Sequence, residues 1–535
     1  MSRQLTVGEA LVARLEAYGV DTIFGIPGVH TIEMYRGLKD SSIRHVTPRH
    51  EQGAGFMADG YARATGKPGV ALIISGPGVT NILTAMGQAY GDSVPMLVLS
   101  SVNAHGRMGS GEGWLHELQD QSATASGVAA FSRTIHRPEE MAPALDQAFA
   151  VFQSGRPRPV HLEFPIDVLS MPAPEMPPVP APLAQPEVPA RLLDEAAALL
   201  EGAKAPLILA GGGAAGPVRE LAEALDAPVV MTTNARGRLG AGHPLGVPVA
   251  ASMDPVRALI AEADVVLALG TEFGSTDYDW NEDGGLRIPG KLIRVDIDPL
   301  QIRRSRGCPV HLGLVGDAGA AAGGLLARVT PRPAGDGAAR AAGVRAALDR
   351  QSRAIQGDIA LLHRLRDELP GVIFAGDSTQ LTYAGIVGYD AAEPRTYWTS
   401  ATGFGTLGYG LPGAIGAAIA RPDRPVIALA GDGGYLFSVG EMAAAVEARA
   451  RVIVLLHDNG GYGEIKTNML LVDVAPLGVD LVVPDFVAMA KSYGWQGVEA
   501  SSGAGLIAAC KAAAAHDGPT LIRFTDAVRA EFQPE

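Results

Sequence analysis

The sequence predicts an α/β protein with three domains, each built around a parallel β-sheet. Short apolar runs of strand length alternate with helical stretches along the whole chain, as in parallel α/β sheets. Gly-rich turns follow many of these runs. The length of 535 residues suits about three domains at roughly 100–200 residues each.

The strand signals recur in each third of the chain and set the predicted element order. In the first third they are VDTIFGIPG, GVALIISGPG and PMLVLSS. The middle third has APLILAGGG, APVVMTT, ADVVLALGT and KLIRVDIDP, and the last third has GVIFAGDST, PVIALAGDGG, RVIVLLHDNGG and PTLIRFTD. Such apolar runs are typical of strands buried on both faces of a parallel sheet. Ligands bind at the carboxyl ends of these strands, so the Gly-rich turns are candidate functional sites.

Two segments divide the chain into blocks. The Pro-rich stretch at 171–190 favours an extended linker, and a second small and polar stretch covers 329–350. The predicted domains therefore span 1–170, 191–328 and 351–535.

The charge and hydropathy patterns argue against nucleic acid and membranes as partners. The net charge is −14, without a run of Lys or Arg. The apolar runs are too short to span a bilayer, and the N-terminal stretch is an amphipathic helix pattern rather than a signal peptide. Cys308 and Cys510 lack metal-like spacing and are predicted to be buried, reduced thiols. These features predict a cytoplasmic enzyme that acts on a small molecule.

A metal site is predicted where two adjacent strands end. Asp432 follows the strand VIALA within Gly431-Asp432-Gly433, and Asn459 ends the next strand 27 positions later. Their side-chain oxygens and the Gly461 carbonyl suit Mg²⁺, which takes about six oxygen ligands and commonly shares them with phosphates. The glycines let the backbone approach phosphates closely, beside a helix N-terminus that favours anions. The ordinary alternative is a strand-to-helix turn that needs Gly only for its geometry.

These motifs resemble those of a known family. GDG followed one strand later by Asn resembles the thiamine-diphosphate motif, and RHEQGAGFMADGYARATG resembles the pyrimidine-binding segment of the acetolactate synthase, pyruvate decarboxylase and benzoylformate decarboxylase group. The resemblance implies thiamine diphosphate and Mg²⁺ as cofactors. It implies pyrimidine-binding, central and diphosphate-binding domains in that order. It also implies a homodimer or homotetramer with active sites between subunits.

Glu51 is the residue that the resemblance implies for cofactor activation. In the family the matching Glu hydrogen-bonds a ring nitrogen of the aminopyrimidine. A buried carboxylate there stabilises the imino tautomer, whose nitrogen then takes the weakly acidic thiazolium C2 proton intramolecularly. The alternative is a helix N-terminal acid that meets only the helix dipole.

Further matches imply the rest of the cofactor site. The turn SGPGVTN, with Gly76 and Asn81, resembles a turn of the family. The segment GFGTLGYGLPG implies that the Gly405 carbonyl accepts from the 4′-amino group and that Leu407 wedges the cofactor into a bent shape. The remaining residues implied to contact the cofactor are Ser378, Thr379, Gly431, Gly433 and Tyr462.

The pocket for the substrate departs from that of acetolactate synthases. Those enzymes have Met and Trp where this chain has Glu464 and Asn468, and Arg where it has Thr276. Position 464 faces the substrate side chain in the family, and an ionised carboxylate buried there needs a cation beside it. Asp277 begins an acidic loop, ending at Asp283, that is expected to add negative potential near the entrance.

A cationic 2-oxo acid fits such a pocket, because a planar guanidinium pairs with a carboxylate in bidentate fashion. GWLHELQDQ and GDSTQ also resemble segments of the 5-guanidino-2-oxopentanoate (2-ketoarginine) decarboxylases of this family. The leading hypothesis is non-oxidative decarboxylation of 2-ketoarginine to 4-guanidinobutanal and CO₂. The alternatives are an acetolactate synthase-like carboligase and a benzoylformate- or indolepyruvate-type decarboxylase. Glu464 as a proton relay and the acidic loop as a solvated turn also stay open.

Two histidines are candidates for proton transfer and substrate contact. His116 lies near the pocket Gln of the synthases and the paired His of pyruvate decarboxylases, where a neutral imidazole can return a proton after CO₂ leaves. His30 follows GIPGV, in a loop that touches the substrate in the family. A structural role is the alternative for both.

The Gly-rich turn in LILAGGGAAG is the one place where the central domain resembles a nucleotide site. Some members of the family hold FAD there, but Glu272 stands where the synthases have an Arg, so FAD is not expected. Tight strand-to-helix packing explains the three glycines equally well. A dehydrogenase is disfavoured because the chain lacks G-x-G-x-x-G with a downstream acid. A degenerate protein without turnover is disfavoured because Glu51, Asp432 and Asn459 are intact.

Overall fold

A computed structural model describes residues 4–535 and contains three six-stranded sheets with parallel strands and flanking helices. The predicted fold class is therefore confirmed. Residues 1–3, which begin the predicted N-terminal helix, lie outside the described residues.

The first sheet comes from the first third of the chain. Its strands are β1 (Thr22–Gly25), β2 (Arg44–Val46), β3 (Gly69–Ile73), β4 (Met96–Val102), β5 (Phe131–Thr134) and β6 (Val160–Pro165). The helices around it are α1 (Val7–Ala17), α2 (Ile32–Lys39), α3 (Glu51–Thr65), α4 (Pro77–Gly91), α5 (Gln121–Ser126), α6 (Met141–Ser154) and α7 (Ile166–Leu169).

The central sheet comes from the middle third. Its strands are β7 (Pro206–Ala210), β8 (Val229–Met231), β9 (Gly246–Val247), β10 (Val265–Leu269), β11 (Lys291–Asp296) and β12 (Val310–Val315). The helices of this part are α8 (Ala190–Glu201), α9 (Val218–Leu225), α10 (Asp254–Glu262), α11 (Ser275–Tyr278), α12 (Pro299–Arg303), α13 (Ala318–Leu326) and α14 (Gly337–Arg345).

The third sheet comes from the last third. Its strands are β13 (Ile373–Gly376), β14 (Tyr397–Thr399), β15 (Val426–Gly431), β16 (Val452–Asp458), β17 (Gln496–Glu499) and β18 (Thr520–Thr525). The helices of this part are α15 (Arg353–Glu368), α16 (Gln380–Gly388), α17 (Gly410–Ala420), α18 (Asp432–Tyr435), α19 (Glu441–Glu447), α20 (Gly463–Leu471), α21 (Phe486–Ser492), α22 (Gly503–Ala515) and α23 (Asp526–Ala530).

The first and third sheets share one strand order. The first runs β2-β1-β3-β4-β6-β5 and the third runs β14-β13-β15-β16-β18-β17, so each strand has a counterpart at the same place. The central sheet runs β12-β11-β10-β7-β8-β9, which is the doubly wound order of many nucleotide-binding sheets. Ligands bind parallel sheets of this kind where the strand order reverses. In the first sheet this point lies between β1 and β3, and in the third sheet it lies between β13 and β15.

The apolar runs of the sequence form strands as predicted, namely β1, β3, β4, β7, β8, β10, β11, β13, β15, β16 and β18. Residues 170–189 form no helix or strand apart from a bridge between Thr6 and Pro172. The second predicted linker contains α14, whose Ala341 and Val344 are buried. The domain limits stay a prediction.

The first and third domains meet where α3 crosses α17. A Cβ on Gly60 would lie 1.9 Å from the Gly413 carbonyl oxygen, and a Cβ on Gly416 would lie 2.0 Å from the Met57 carbonyl oxygen. Glycine therefore permits an approach of the two backbones that any other residue prevents. Apolar side chains of both helices enter one shared core.

A buried polar network lies beside this crossing. Arg63 donates to Asp59 Oδ1 and to Asp92 Oδ2, at 2.6 Å in each case. Tyr409, which precedes α17, also donates to Asp59 at 2.6 Å, and Asn234 of the central domain accepts from Arg63 at 3.2 Å. Removing one partner of such a buried pair leaves an uncompensated charge, so the network fixes how the three domains meet.

Two further expectations concern the cysteines and membranes. Cys308 and Cys510 are free and buried, as predicted. Within residues 4–535, no helix combines the length and the apolar character that crossing a membrane requires.

The crossing predicts an asymmetric response to two Gly→Ala substitutions. Gly60→Ala forces a methyl group against the Gly413 carbonyl and should destabilise the protein by about 1–3 kcal/mol, as overpacking does. The control is Gly343→Ala in α14, where a Cβ on Gly343 would meet no other heavy atom within 4 Å. This control should be neutral or stabilise by about 0.4–1 kcal/mol. Thermal unfolding midpoints of the two variants measure the difference, and equal midpoints would contradict the packing argument.

Candidate active site

Glu51 lies at the start of α3 and is nearly buried, with 9% of its surface exposed. Asn81 of α4 donates from Nδ2 to Glu51 Oε2 at 2.9 Å. The other oxygen faces Gly78, where a Cβ would lie 3.5 Å away. The structure thus brings two of the predicted cofactor residues into direct contact.

The two candidate histidines form a pair beside the β1–β3 reversal. His30 Nδ1 lies 2.7 Å from Ser75 Oγ, and His116 Nδ1 lies 3.4 Å from the same oxygen. The two ring centroids are 5.3 Å apart in an edge-to-face arrangement. Burial lowers the pKa of His30, and the neighbouring His116 lowers this pKa further. Both effects favour the neutral imidazole of His30.

Gly76 has a backbone conformation and surroundings that only glycine suits. Its φ is +61°, and a Cβ would lie 2.6 Å from the His116 carbonyl oxygen. Its N–H donates to Gln121 Oε1 at 2.7 Å, and Gln121 in turn donates to Glu163 Oε2 at 2.8 Å. The sequence reasoning missed Gln121 and Glu163, because only the folded sheet brings them beneath the Gly76 turn.

Three oxygen atoms converge at the ends of β15 and β16. The Asn459 side-chain oxygen lies 3.0 Å from the Gly461 carbonyl oxygen and 3.2 Å from Asp432 Oδ1. Rotating the amide would let its NH₂ group donate to both oxygens. Asp432 is 1% exposed, and its Oδ2 is buried without a hydrogen-bond partner among residues 4–535. Burial and the charge of Asp458 raise the pKa of Asp432.

A metal ion at this place would draw on an amide and a carbonyl as well as a carboxylate. In the described part of the chain, no three His, Cys, Asp or Glu side chains group as a metal site. The predicted set of Asp432, Asn459 and Gly461 combines one carboxylate with a side-chain amide and a backbone carbonyl, so it is not a site of that kind. The structure brings all three predicted ligands together.

The other residues predicted on the diphosphate side line the same edge. Thr379 Oγ1 lies 3.1 Å from the position that a Cβ on Gly431 would take. The Tyr462 ring lies 2.7 Å from the corresponding position on Gly433, so this glycine makes room for the ring. Ser378 lies between β13 and α16, next to Thr379.

Asp377 fixes the loop that carries Gly405 and Leu407. Its carboxylate accepts the N–H groups of Ser378 at 2.8 Å, Gly408 at 3.3 Å and Gly410 at 3.0 Å. Burial raises the pKa of Asp377 to about 6. Asp377 lies in the segment GDSTQ, where the family resemblance implied a diphosphate contact, but only Ser378 and Thr379 of this segment were predicted as site residues.

Gly405 and Leu407 lie in the loop that leads into α17. Gly405 has φ +78° and open space around it. Leu407 is half-buried, and its Cδ2 lies 3.6 Å from the position of a Cβ on Gly434. Both residues thus lie near the β13–β15 reversal, where the oxygen cluster also lies.

Glu464 lies on the first turn of α20, where it is exposed in the single chain rather than buried as the sequence argument expected, and two amides hold its side chain. Gln380 donates to Glu464 Oε2 at 2.7 Å, and Asn468 donates to Oε1 at 3.3 Å. Burial, and then the charge of Glu464, raise the pKa of Tyr383. Gln380 and Tyr383 belong to α16, so they are neighbours of Glu464 that the sequence reasoning did not identify.

The acidic loop of the central domain is largely balanced within that domain. Asp277 accepts from the Thr233 N–H at 3.1 Å, and burial raises the pKa of Asp277 to about 6. Asp279 pairs with Arg257 at 3.3 Å, and Asp283 pairs with the same Arg257 at 2.9 Å. This balance weakens the expected negative potential, and a substrate contact by Asp277 stays a prediction.

Glu272 lies at a junction of the three domains rather than free to meet a ligand. It pairs with Arg156 and with Arg158, the latter at 3.1 Å. A cavity of about 330 Å³ adjoins it, with Tyr90, Thr276 and Phe404 in its wall.

The Gly-rich turn of the central domain packs against a second turn. A Cβ on Gly211 would lie 2.2 Å from the Gly270 carbonyl oxygen, and a Cβ on Gly270 would lie 2.7 Å from the Gly213 carbonyl carbon. Close packing of two strand ends therefore accounts for these glycines without a nucleotide.

The described site consists of two half-sites. Glu51, Asn81 and the histidine pair belong to the first domain, whereas Asp432 and Asn459 belong to the third. Within residues 4–535, no hydrogen bond joins one group to the other.

Three consecutive segments of the chain match models of known protein families. They are the N-terminal TPP binding domain, the central domain and the C-terminal TPP binding domain of thiamine pyrophosphate enzymes, over residues 5–124, 193–325 and 377–524. A probable 2-ketoarginine decarboxylase of Pseudomonas aeruginosa is 46% identical, with 92% of this chain and 89% of that protein covered. The large subunit of acetolactate synthase isozyme 1 of Escherichia coli is 32% identical, with 88% of this chain and 84% of that protein covered. An acetolactate synthase of Mycobacterium bovis is also 32% identical, with 99% of this chain and 90% of that protein covered. The chain therefore belongs to the family of thiamine pyrophosphate (thiamine diphosphate) enzymes.

Proposed function

We propose that this protein catalyses the non-oxidative decarboxylation of 2-ketoarginine, with thiamine diphosphate and Mg²⁺ as cofactors. The observation that carries the reaction class is the pair of half-sites, Glu51 with Asn81 and Asp432 with Asn459, in a chain of this family. The substrate assignment is supported by the 46% identity to a probable 2-ketoarginine decarboxylase and by the acid at position 464.

The donor set suits Mg²⁺, which prefers oxygen ligands. Asp432 offers a carboxylate, Gly461 a backbone carbonyl and Asn459 a side-chain amide that faces both of them. The partnerless Oδ2 of Asp432 is a further sign of an electropositive ligand. These three residues would hold the metal, and the diphosphate would supply further oxygens.

Ser378, Thr379, Gly431 and Gly433 would surround the diphosphate at the β13–β15 reversal. Gly405 would accept a hydrogen bond from the aminopyrimidine, and Leu407 would support the bent cofactor. When bound, thiamine diphosphate supplies the carbon nucleophile for the 2-oxo group and accepts the electron pair that departing CO₂ leaves.

Glu51 would share its proton with the aminopyrimidine and so favour removal of the C2 proton. Asn81 donates a hydrogen bond to one Glu51 oxygen but not to the other oxygen, which faces Gly78. His30 and His116, joined through Ser75, would hold the proton that the product carbon takes up. The neutral state of His30 suits a group that accepts and returns a proton.

Glu464 would bind the guanidinium of the substrate. Gln380 and Asn468 fix its two oxygens in one orientation, which suits a bidentate partner. Because amides carry no charge, the carboxylate still lacks a cation in these contacts. Tyr462, which directly precedes α20, would line the path between the cofactor and this carboxylate.

A second copy of the chain would complete each site. The two half-sites belong to different domains and share no hydrogen bond within residues 4–535. Exposed apolar side chains cluster on α20 and just beyond it, and such patches mark interfaces. They are Ile465, Leu470, Leu471, Val472, Leu477 and Val482. We therefore propose a homodimer, or a homotetramer of two such dimers, in the cytoplasm.

An acetolactate synthase-like carboligase is the second candidate, because relatives of that name are 32% identical over most of the chain. Glu464 and Thr276 disfavour it, since they replace the apolar wall and the cation expected for two small oxo acids.

The proposal predicts a large preference among 2-oxo acids. Purified protein with thiamine diphosphate and Mg²⁺ should release CO₂ from 2-ketoarginine with a kcat/KM at least about tenfold above that for pyruvate, benzoylformate or indolepyruvate. A hydrogen bond to a charged group contributes about 1.5–3 kcal/mol, which corresponds to that ratio or more. A preference for pyruvate with acetolactate as the product would overturn the proposed reaction.

The preference should depend on the charge at position 464. Glu464→Gln keeps the size of the side chain but removes its charge, so kcat/KM for 2-ketoarginine should fall by about 10- to 100-fold. Activity with pyruvate should change by less than about threefold.

The matched control is Asp473→Asn, which removes a nearby exposed charge at a position with φ +58° that Asn tolerates. The control should retain the wild-type preference. An unchanged preference in Glu464→Gln would remove the guanidinium assignment.

A further inference from the structure

Glu441 belongs to the third domain, yet its carboxylate contacts the first domain directly before Glu51. Its side chain accepts the Arg49 N–H on both oxygens, at 3.1 and 3.0 Å. Oε1 also accepts the His50 N–H at 3.0 Å. Glu441 is 1% exposed, so these contacts are shielded from water.

We infer that Glu441 is a positioning residue that holds the segment before Glu51 and thereby sets the place of the Glu51 carboxylate. The inference rests on the proposed role of Glu51. Arg49 and His50 are the two residues that precede Glu51, so a shift of their backbone moves the start of α3.

The fit around Glu441 leaves little freedom. A Cβ on Gly53 would lie 2.2 Å from Glu441 Oε1, so the first turn of α3 packs directly on the carboxylate. The rest of α19 holds the same segment, because Glu447 pairs with the Arg49 side chain and the Ala448 carbonyl accepts from Arg44. One short helix therefore contacts the chain from residue 44 to residue 53.

Charged and titratable groups face Glu441 from both sides. The Arg49 guanidinium is turned to Glu447 and to the Thr47 carbonyl, and His50 Nδ1 accepts from the Gln52 N–H. Burial raises the pKa of Glu441 to about 7, and the charge of Glu51 adds to this shift. The ionised form accepts the backbone N–H groups more strongly, so its hold should tighten as the pH rises through about 7.

The test uses full-length protein with Glu441→Gln, Glu441→Asp and, as a control on the same helix, Glu447→Gln. Hydrogen–deuterium exchange of residues 44–52, measured without added cofactor, reports the hold on the backbone. Deuterium exchange at C2 of thiamine diphosphate, measured by NMR with the cofactor and Mg²⁺ bound, reports the place of Glu51.

Both Glu441 variants should speed amide exchange at Arg49 and His50 by about tenfold or more, because Gln has one neutral acceptor oxygen in place of two charged ones and Asp is too short to keep all three contacts. C2 exchange should slow by about 10- to 100-fold, as expected for a displaced proton-sharing group. Glu441→Gln should also lose the tightening near pH 7, whereas Glu441→Asp should keep a pH dependence. Glu447→Gln removes only an exposed ion pair with Arg49, which contributes little, so it should stay within about twofold of the wild type in each measurement.

Wild-type amide and C2 exchange in a folded Glu441 variant would overturn the inference. A wild-type protein that fails to speed C2 exchange over free cofactor would instead overturn the proposed function, while the amide measurement still decides the role of Glu441. If Glu441→Gln fails to fold, the shorter but charged Glu441→Asp provides both measurements.

Discussion

Two helices from the first and third domains, α3 and α17, approach so closely that a Cβ on Gly60 would lie 1.9 Å from a carbonyl oxygen of the other helix. The candidate site depends on this approach, because each helix begins at a part of it. Glu51 starts α3, and the loop with Gly405 and Leu407 leads into α17. The shared apolar core and the buried Asp59–Tyr409 contact prevent the two helices from sliding. The glycines at this helix crossing thus set the relative positions of the two parts of the candidate site.

The first and third sheets have the same strand order, but the polar groups beside them differ. Each reverses its strand order at the same place, and each carries polar groups there. The first domain presents Glu51 and a histidine pair, for which we propose proton transfer, whereas the third presents the oxygen cluster for which we propose the metal and the diphosphate. At both edges, glycines at the strand ends let the backbone approach a bound ligand closely. Glu441 connects the two edges, because it follows Asp432 in the chain and contacts the segment before Glu51.

The sequence was informative where strands are buried and where a motif is local. Apart from the internal strand β6, the strands it did not signal lie at sheet edges: β2, β5, β9, β12, β14 and β17. Edge strands are short or partly exposed, so they lack a continuous apolar run. Asp432, Asn459 and Gly461 could be predicted because each follows a buried strand. Gln380, Gln121 and Glu441 could not, because their partners lie far away in sequence and their contacts exist only in the folded chain.

In the proposed homodimer, Glu51 of one subunit and Asp432 of the other serve the same active site. Co-expression of Glu51→Gln and Asp432→Asn chains with different affinity tags, followed by purification of the mixed oligomer, tests this most directly. Each variant alone should be nearly inactive. The mixed dimer should regain about half of the wild-type CO₂ release, because one of its two sites contains both intact residues. A mixed oligomer as inactive as its parents would mean that each site lies within one chain, which would contradict the account.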